Sequence, residues 1–349
     1  MNDDLALQFS FDSRPEAVIA KAGLTSAERG TLLHLLLSRV DLHADISAAY
    51  LQELVAHLEA EKYIAVGEAD GIALDGILQF FQSPLGQRLL AADNILILCH
   101  KNPDGDTIGC GSALYYALKA LEKTTAVLCS DTVPSRYAFT NPRLFKGEFE
   151  PRTVIAVDVA GLQLFGENNG VPQFARHVDL CIDHHAGNNG YADFTLLDAG
   201  AAAAAELLYQ VIVEMGVPIT PHIADCLYTG IATDTGCFKF SSTTANTHTV
   251  AAKLIEAGCH VEELNTLLFD TKPRARMEAE RIARNHLEYY LDGRCALIYL
   301  TRDEIRQSGV DPADLEELTS LPISIEGVKV GLTLRQQPGG SYRISVRTA

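Results

Sequence analysis

The sequence lacks tryptophan, has only three methionines, and carries eight cysteines that lie singly, with no Cys-x-x-Cys pair. Zinc knuckles need such pairs and small secreted domains need a cysteine framework, so we expect reduced thiols. No apolar run approaches the roughly 20 residues of a membrane-spanning helix. The N-terminus is acidic and lacks the basic-then-apolar layout of a secretory signal. We therefore expect a cytoplasmic protein that makes no membrane contact.

The sequence is also short of positive charge. Its 28 lysines and arginines face 45 aspartates and glutamates, which gives a net charge of −17 at pH 7. Such a charge disfavours binding to duplex DNA or to an anionic membrane. Residues 272–349 are close to neutral, so most of the negative charge lies before them. An anionic substrate would therefore be attracted by bound metal ions or by this last segment.

The chain is long enough for two domains and a small third one, and we divide it into residues 1–76, 77–262 and 263–349. In the middle segment, short apolar runs alternate with helical patterns, which predicts an α/β fold with a parallel sheet and helices on both faces. The predicted strands are 95–99, 124–129, 153–157 and 178–182. The predicted helices are 77–92, 112–121, 201–215, 221–234 and 245–257.

The first segment predicts a helical N-terminal extension whose partner is unknown. Thr25 and Glu28 are typical of a capping box that begins one helix, and a second helix is predicted over 46–60. Residues 63–74 predict a small hairpin, so the extension faintly resembles a winged helix. The excess of acidic over basic residues in this extension nevertheless disfavours DNA binding.

The last segment predicts a linker helix and a smaller mixed α+β domain. The helix is predicted over 273–291, and the strands over 295–300, 327–335 and 342–346. A Pro-Gly-Gly-Ser sequence at 338–341 is typical of a turn, and it joins the last two strands.

Acidic and imidazole side chains follow the predicted strands of the middle segment. His100, Asp104 and Asp106 follow the first strand, at the edge where open α/β folds bind their ligands. Five further side chains follow other elements: Asp158 after strand 153–157, Asp183, His184 and His185 after strand 178–182, and Asp234 at a helix end. Carboxylates so concentrated would raise each other's pKa unless divalent cations lay between them. The sequence therefore predicts a two-metal centre that activates a bridging water, which suits hydrolysis at phosphorus.

Four motifs, in this order, resemble those of the DHH-type phosphoesterases. They are HKNPDGD at 100–106, AVDVA at 156–160, IDHH at 182–185 and TGIATDTGCFKFSSTTANT at 229–247. The resemblance covers about residues 85–349, and the short β-rich second domain is similar to that of the nanoRNase/pAp-phosphatase branch. It implies a DHH catalytic domain that hydrolyses short single-stranded RNA (nanoRNA) and 3′-phosphoadenosine 5′-phosphate (pAp). The implied cofactor is a pair of Mn²⁺ ions, with Mg²⁺ as the alternative ion.

The resemblance also implies a role for each matching side chain. The implied metal ligands are His100 and Asp104 for the first ion, Asp106, His184 and Asp234 for the second, and Asp158 as the bridge between them. His185 would contact the scissile phosphate. Asp183 would orient an imidazole, as metal-bound histidines usually require.

In the last segment, the resemblance implies cationic contacts to the far phosphate of the substrate. Arg343, Ser345 and Arg347 alternate along the final predicted strand, which puts them on one face. The active site would then lie in the cleft between the two domains. Relatives usually continue to a Gly-rich GGGH-like segment, whereas this sequence ends at Ala349, so we expect a substrate domain truncated before that motif.

Other interpretations stay open at this stage. A manganese-dependent inorganic pyrophosphatase, indifferent to a nucleobase, or a cyclic-dinucleotide phosphodiesterase of the same superfamily would use the same ligands. Each aspartate taken singly is also typical of loop capping. A non-catalytic partner-binding protein is a further hypothesis, although a decayed site would be expected to lose at least one ligand. A homodimer is also left open.

Overall fold

The computed structural model describes residues 46–67, 83–310 and 318–348. It also describes seven isolated positions: Leu32, Leu35, Leu36, Arg39, Val40, Leu78 and Leu315. The chain divides into two compact units between Val261 and Glu262. None of the described helices is long and apolar enough to cross a membrane.

The first unit is built on a five-stranded parallel sheet in the order β2-β1-β3-β4-β5. Its strands are β1 Ile95–Leu98, β2 Thr125–Leu128, β3 Thr153–Val157, β4 Leu180–Asp183 and β5 Phe194–Leu197. The first four are almost wholly buried, as expected of parallel strands that are covered on both faces. The predicted α/β class is thus confirmed. The sequence prediction missed β5, whose residues are half-buried or exposed and lack a continuous apolar run.

Helices surround this sheet. Those described in the first unit are α1 Ala48–Ala60, α2 Pro84–Ala91, α3 Gly105–Ala120, α4 Val171–Phe174, α5 Ala204–Glu214, α6 Pro221–Asp234 and α7 Ala245–Glu256, and α8 Val261–Asn265 begins at the boundary with the second unit. Ser47, Ser83, Thr220 and Thr244 cap their helices by accepting a backbone N–H, the role for which hydroxyl side chains are favoured. The bounds predicted for α6 agree with the structure.

Helix α3 begins at Gly105, so the predicted start at Ser112 is wrong. Two glycines in the added turns, Gly105 and Gly109, are sites of close helix packing against α6. A Cβ at Gly109 would lie 2.3 Å from the carbonyl oxygen of Cys226, and one at Gly105 would lie 2.4 Å from Oγ1 of Thr233. The early start matters for the site, because it puts Asp106 in the first turn of a buried helix.

The first arm of the predicted hairpin is also wrong, since residues 63–67 form bends and turns. Lys62 takes a left-handed backbone conformation just after α1, with φ of 61°. The amide of Gly67 then donates to the carboxylate of Glu59 at 2.8 Å, which closes the segment back on the helix. The rest of the hairpin, on which the winged-helix similarity depends, and the Thr25–Glu28 capping box lie outside the described residues.

The second unit carries a four-stranded mixed sheet in the order β6-β7-β8-β9. Its strands are β6 Glu288–Tyr290, β7 Cys295–Leu300, β8 Val330–Gln336 and β9 Tyr342–Thr348, and its helices include α9 Arg274–Asn285 and α10 Arg302–Ser308. Ala279 and Ala283 of α9 pack on Ile298 and Leu300 of β7. The predicted mixed α+β class is confirmed. Helix α9 ends six residues before the predicted Leu291, because the following aromatic residues pair with β7 as strand β6.

Candidate metal centre

Three neighbouring strands deliver side chains to one edge of the parallel sheet. β3 ends immediately before Asp158, β4 ends at Asp183, and His100 lies two residues beyond β1. Because β1, β3 and β4 are adjacent and parallel, their carboxyl ends meet at the same edge. The early start of α3 adds Asp104 and Asp106 to that edge.

A first cluster contains His100, Asp104 and Asp158. The Nε2 atom of His100 lies 3.4 Å from Oδ1 of Asp104 and 3.6 Å from Oδ2 of Asp158. Its Nδ1 lies 2.7 Å from the carbonyl oxygen of Lys101, which can only accept, so Nδ1 carries the proton. The lone pair of a neutral imidazole is therefore on Nε2, facing the two carboxylates. Asp104 also caps α3, since its Oδ1 accepts from the amides of Asp106 and Thr107.

A second cluster contains Asp106, His184 and Asp234. The Nε2 atom of His184 lies 3.2 Å from Oδ2 of Asp234 and 3.8 Å from Oδ2 of Asp106. Its Nδ1 donates to the carbonyl oxygen of Ala201 at 3.2 Å. Backbone carbonyls thus orient both imidazoles, which is the usual partner arrangement of metal-binding histidines.

Asp158 belongs to the first cluster and also faces the second. Its Oδ2 faces His100, while its Oδ1 lies 3.5 Å from Nε2 of His184. It is 2% exposed, and its φ of 56° is a left-handed conformation that few residues other than glycine adopt. Each cluster offers ligand atoms that all lie within 4.8 Å of one another. One carboxylate with an oxygen toward each cluster is the arrangement that a bridging ligand requires.

The protein alone does not supply enough hydrogen-bond partners or positive charge for the buried polar groups of this centre. Oδ1 of Asp158 and Nε2 of His184 are buried, and neither has a hydrogen-bond partner among the described residues. Burial raises the pKa of Asp106 well above its usual range, and the neighbouring Asp158 and Asp234 raise it further. Burial also raises the pKa of Asp234. Divalent cations would supply the missing charge, and carboxylate with imidazole is a donor set that suits Mn²⁺.

The same carboxylates control the two imidazoles in the metal-free protein. Burial lowers the pKa of His100, but hydrogen bonds to Asp104 and Asp158 outweigh it and raise the pKa to about 11. For His184, burial is likewise outweighed by the neighbouring carboxylates of Asp158 and Asp234, and the pKa is again raised to about 11. Protons therefore hold the positions that cations would take, and a bound cation would displace them.

His185 is oriented differently from the other two histidines. Its Nδ1 lies 2.8 Å from Oδ1 of Asp183, a carboxylate that is fully buried at the end of β4. Asn188 donates to the second oxygen of Asp183 at 2.6 Å. The imidazole ring of His185 is 46% exposed. The predicted anchoring of an imidazole by Asp183 thus concerns His185, the histidine assigned to the substrate, while His184 contacts Asp183 through its backbone amide.

The remaining predicted site residues belong to the second unit. Arg343 and Arg347 are exposed on β9, and Ser345 between them is half-buried. Their register partners on β8 are Arg335, Thr333 and Gly331, so a further arginine shares this face. Arg335 is 4% exposed, and no motif signalled it.

Comparison with known proteins shows what this part of the chain is similar to. Residues 94–231 match the model of the DHH family, N-terminal domain. The DHH likeness is therefore that of this region, which holds the carboxyl ends of β1, β3 and β4. The matched region includes five of the six ligands implied by the sequence, and Asp234 lies three residues beyond it.

Two curated relatives are similar to most of this chain. The bifunctional oligoribonuclease and PAP phosphatase NrnA of Thermus thermophilus is 28% identical over 268 residues, which are 73% of this chain and 76% of the relative. The protein of the same name from Bacillus subtilis is 24% identical over 242 residues, 68% of this chain and 76% of the relative. A solved structure from Bacteroides fragilis, an exopolyphosphatase-related protein, gives a TM-score of 0.68 at 24% identity. That likeness covers 80% of this chain and 84% of the other, and it shows the fold alone.

Some residues that position the candidate site lie outside the motif assignments. Thr107 donates from Oγ1 to the carbonyl oxygen of Val157 at 3.0 Å and accepts from the amide of His100 at 3.3 Å. It therefore ties the ends of β1 and β3 to the start of α3. Asn188, which holds Asp183, lies in the loop after β4 and gives no signal in the sequence beyond being an asparagine near a motif.

Proposed function

We propose that this protein is a two-metal phosphoesterase that hydrolyses short oligoribonucleotides and pAp, with Mn²⁺ as the cofactor. The proposal is supported by the relatives, which are described as oligoribonucleases and PAP phosphatases. The observation that carries it is the position of Asp158, which presents one oxygen to each of two His–Asp clusters.

The metal ligands would be His100, Asp104 and Asp158 for one ion, and Asp106, His184, Asp234 and Asp158 for the other. When bound, two such ions supply Lewis acidity and lower the pKa of a bridging water. The protein contributes rigidity, since the carbonyls of Lys101 and Ala201 keep Nε2 of each imidazole directed at the carboxylates that would hold the ions with it. Asp106 is fully buried and Asp234 is partly buried, which limits competition from bulk water at the second cluster.

His185 would contact the scissile phosphate. Because Asp183 fixes the proton on Nδ1, the ring presents Nε2 to solvent, and protonation there makes it a donor to a phosphoryl oxygen. The hydrogen bond that His185 donates to Asp183, although opposed by burial, raises the pKa of His185 and favours that charged form. A cationic donor aimed at developing negative charge stabilises the transition state. Arg343, Ser345 and Arg347 would bind the far phosphate, which a nucleotide such as pAp offers.

Substrate choice is tested with one panel. The metal-free protein is incubated with Mn²⁺, with Mg²⁺ or with no ion, and with pAp, a labelled dinucleotide, pyrophosphate and a cyclic dinucleotide. We expect metal-dependent turnover of pAp and of the dinucleotide. Turnover of pyrophosphate alone would favour the pyrophosphatase hypothesis. Turnover of the cyclic dinucleotide alone would favour the phosphodiesterase hypothesis. No turnover of any substrate would favour the hypothesis of a non-catalytic partner-binding protein. A cytoplasmic location and a homodimer stay predictions.

A further inference from the structure

A run of five alanines, residues 201–205, lies against the metal centre. Helix α5 begins within it at Ala204, and its N-cap residue, Ala203, makes no side-chain capping hydrogen bond. Helix N-termini usually obtain that bond from Ser, Thr, Asp or Asn. An alanine run has no polar side chain, so other parts of the chain must hold this backbone in place.

The alanine run contacts two of the three side chains in the second cluster. The amide of Ala204 donates to Oδ2 of Asp106 at 2.6 Å, and the amide of Ala205 donates to Oδ1 at 3.1 Å. The carbonyl oxygen of Ala201 accepts from Nδ1 of His184 at 3.2 Å. Asp106 therefore caps α5 from another helix, while the same backbone fixes the ring of His184.

Glu206 is the side chain that anchors the middle of this run. Its Oε1 accepts from the amide of Ala202 at 3.2 Å and from Oγ1 of Thr247 at 2.7 Å. Its Oε2 accepts from Nδ2 of Asn246 at 2.7 Å. Glu206 is 1% exposed, and among the described residues no lysine or arginine pairs with it. A buried carboxylate is costly unless hydrogen-bonded, and these three donors satisfy it.

We propose that Glu206 is a positioning residue for the second metal ion. It ties the alanine run to the first turn of α7, and the alanine run in turn fixes Asp106 and His184 relative to Asp234. This role rests on the proposed two-metal centre, but Glu206 itself is not a ligand. Loss of such outer partners typically weakens metal binding by 10–100-fold.

A positioning role is distinguishable from a purely structural one. A side chain that only stabilises the fold would lower Tm and leave the metal affinities of the folded protein unchanged. Glu206 contacts the ligands of one cluster only through the alanine run, so its loss should affect the two ions unequally. The first cluster takes its orientation from Lys101 and Asp104, which Glu206 does not touch.

The test is calorimetric titration of the metal-free full chain with Mn²⁺, with Tm measured in parallel. Glu206→Gln keeps the shape but puts an amide nitrogen where an acceptor stood, and Glu206→Ala removes the anchor. We expect one of the two Mn²⁺ affinities to fall about tenfold in Glu206→Gln and further in Glu206→Ala, with the other within threefold. Glu214→Gln, a substitution at the exposed end of the same helix, should leave both affinities unchanged.

Equal affinities in Glu206→Gln and the parent, or an equal fall at both sites, would overturn the positioning role. If Glu206→Ala does not fold, Glu206→Gln decides alone. The readout is independent of the substrate, so a parent that binds two Mn²⁺ ions but cleaves neither pAp nor RNA refutes the proposed function and leaves this inference testable. A parent that binds no Mn²⁺ refutes both.

Discussion

Asp183 accepts the Nδ1–H of His185 at 2.8 Å and thereby decides which ring nitrogen of His185 faces the solvent. Burial alone would raise the pKa of Asp183, but hydrogen bonds from His185 and Asn188 outweigh burial and lower it. The carboxylate is therefore ionised at neutral pH and can only accept. This pair links the fully buried end of β4 to a half-exposed imidazole, the one that we propose contacts the substrate.

Replacing Asp183 should impair turnover more than binding. In Asp183→Asn the amide no longer favours one protonation state of His185, so we expect kcat to fall by about 100-fold at saturating Mn²⁺. The measurement is steady-state hydrolysis of pAp. Asn188→Ala is the matched control, since it removes one hydrogen bond to Asp183 and keeps the pair intact. A parent-like kcat in Asp183→Asn would show that His185 does not act through this pair.

The close packing of α3 on α6 predicts a stability effect at Gly109. A Cβ there would lie 2.3 Å from a backbone carbonyl oxygen, so the two helices must separate. We expect Gly109→Ala to cost about 1–3 kcal/mol of unfolding free energy, measured by denaturant titration. Gly187→Ala, whose Cβ would meet nothing within 4 Å, is the control and should be close to neutral. If both variants unfold alike, the glycine is not explained by packing.

Arg343 should act on substrate affinity and not on the chemical step. A charge-assisted hydrogen bond to a phosphate contributes about 1.5–3 kcal/mol, so Arg343→Ala should raise KM for pAp by roughly 10-fold or more, with little change in kcat. Arg306→Ala, on an exposed helix position, serves as the control. An unchanged KM would remove β9 from the substrate site.

The sequence predicts the sheet and its functional edge because both depend on local patterns. Each strand is an apolar run, and the side chains after β1, β3 and β4 stand directly at the strand ends. Because the three strands are parallel and adjacent, they bring His100, Asp158 and His184 together, and no long-range contact is needed to predict this.

The remainder depends on contacts between distant residues. The glycines of α3 look like a loop until Cys226 is packed against Gly109. Asp106 caps α5 across 98 residues of sequence, and Glu206 accepts from Asn246 across 40. Strand β6 interrupts a helical pattern only because β7 is there to pair with it. None of these partners is visible in a local pattern.

The central claim is that Asp158 bridges two cations. Electron paramagnetic resonance of the protein loaded with two equivalents of Mn²⁺ tests it most directly, because two ions that share a carboxylate are magnetically coupled. We predict the spectrum of a coupled Mn²⁺ pair for the parent chain, and only isolated or unbound Mn²⁺ for Asp158→Ala, with Asp303→Asn behaving as the parent. An uncoupled spectrum for the parent, or a coupled pair that persists without Asp158, would contradict the account.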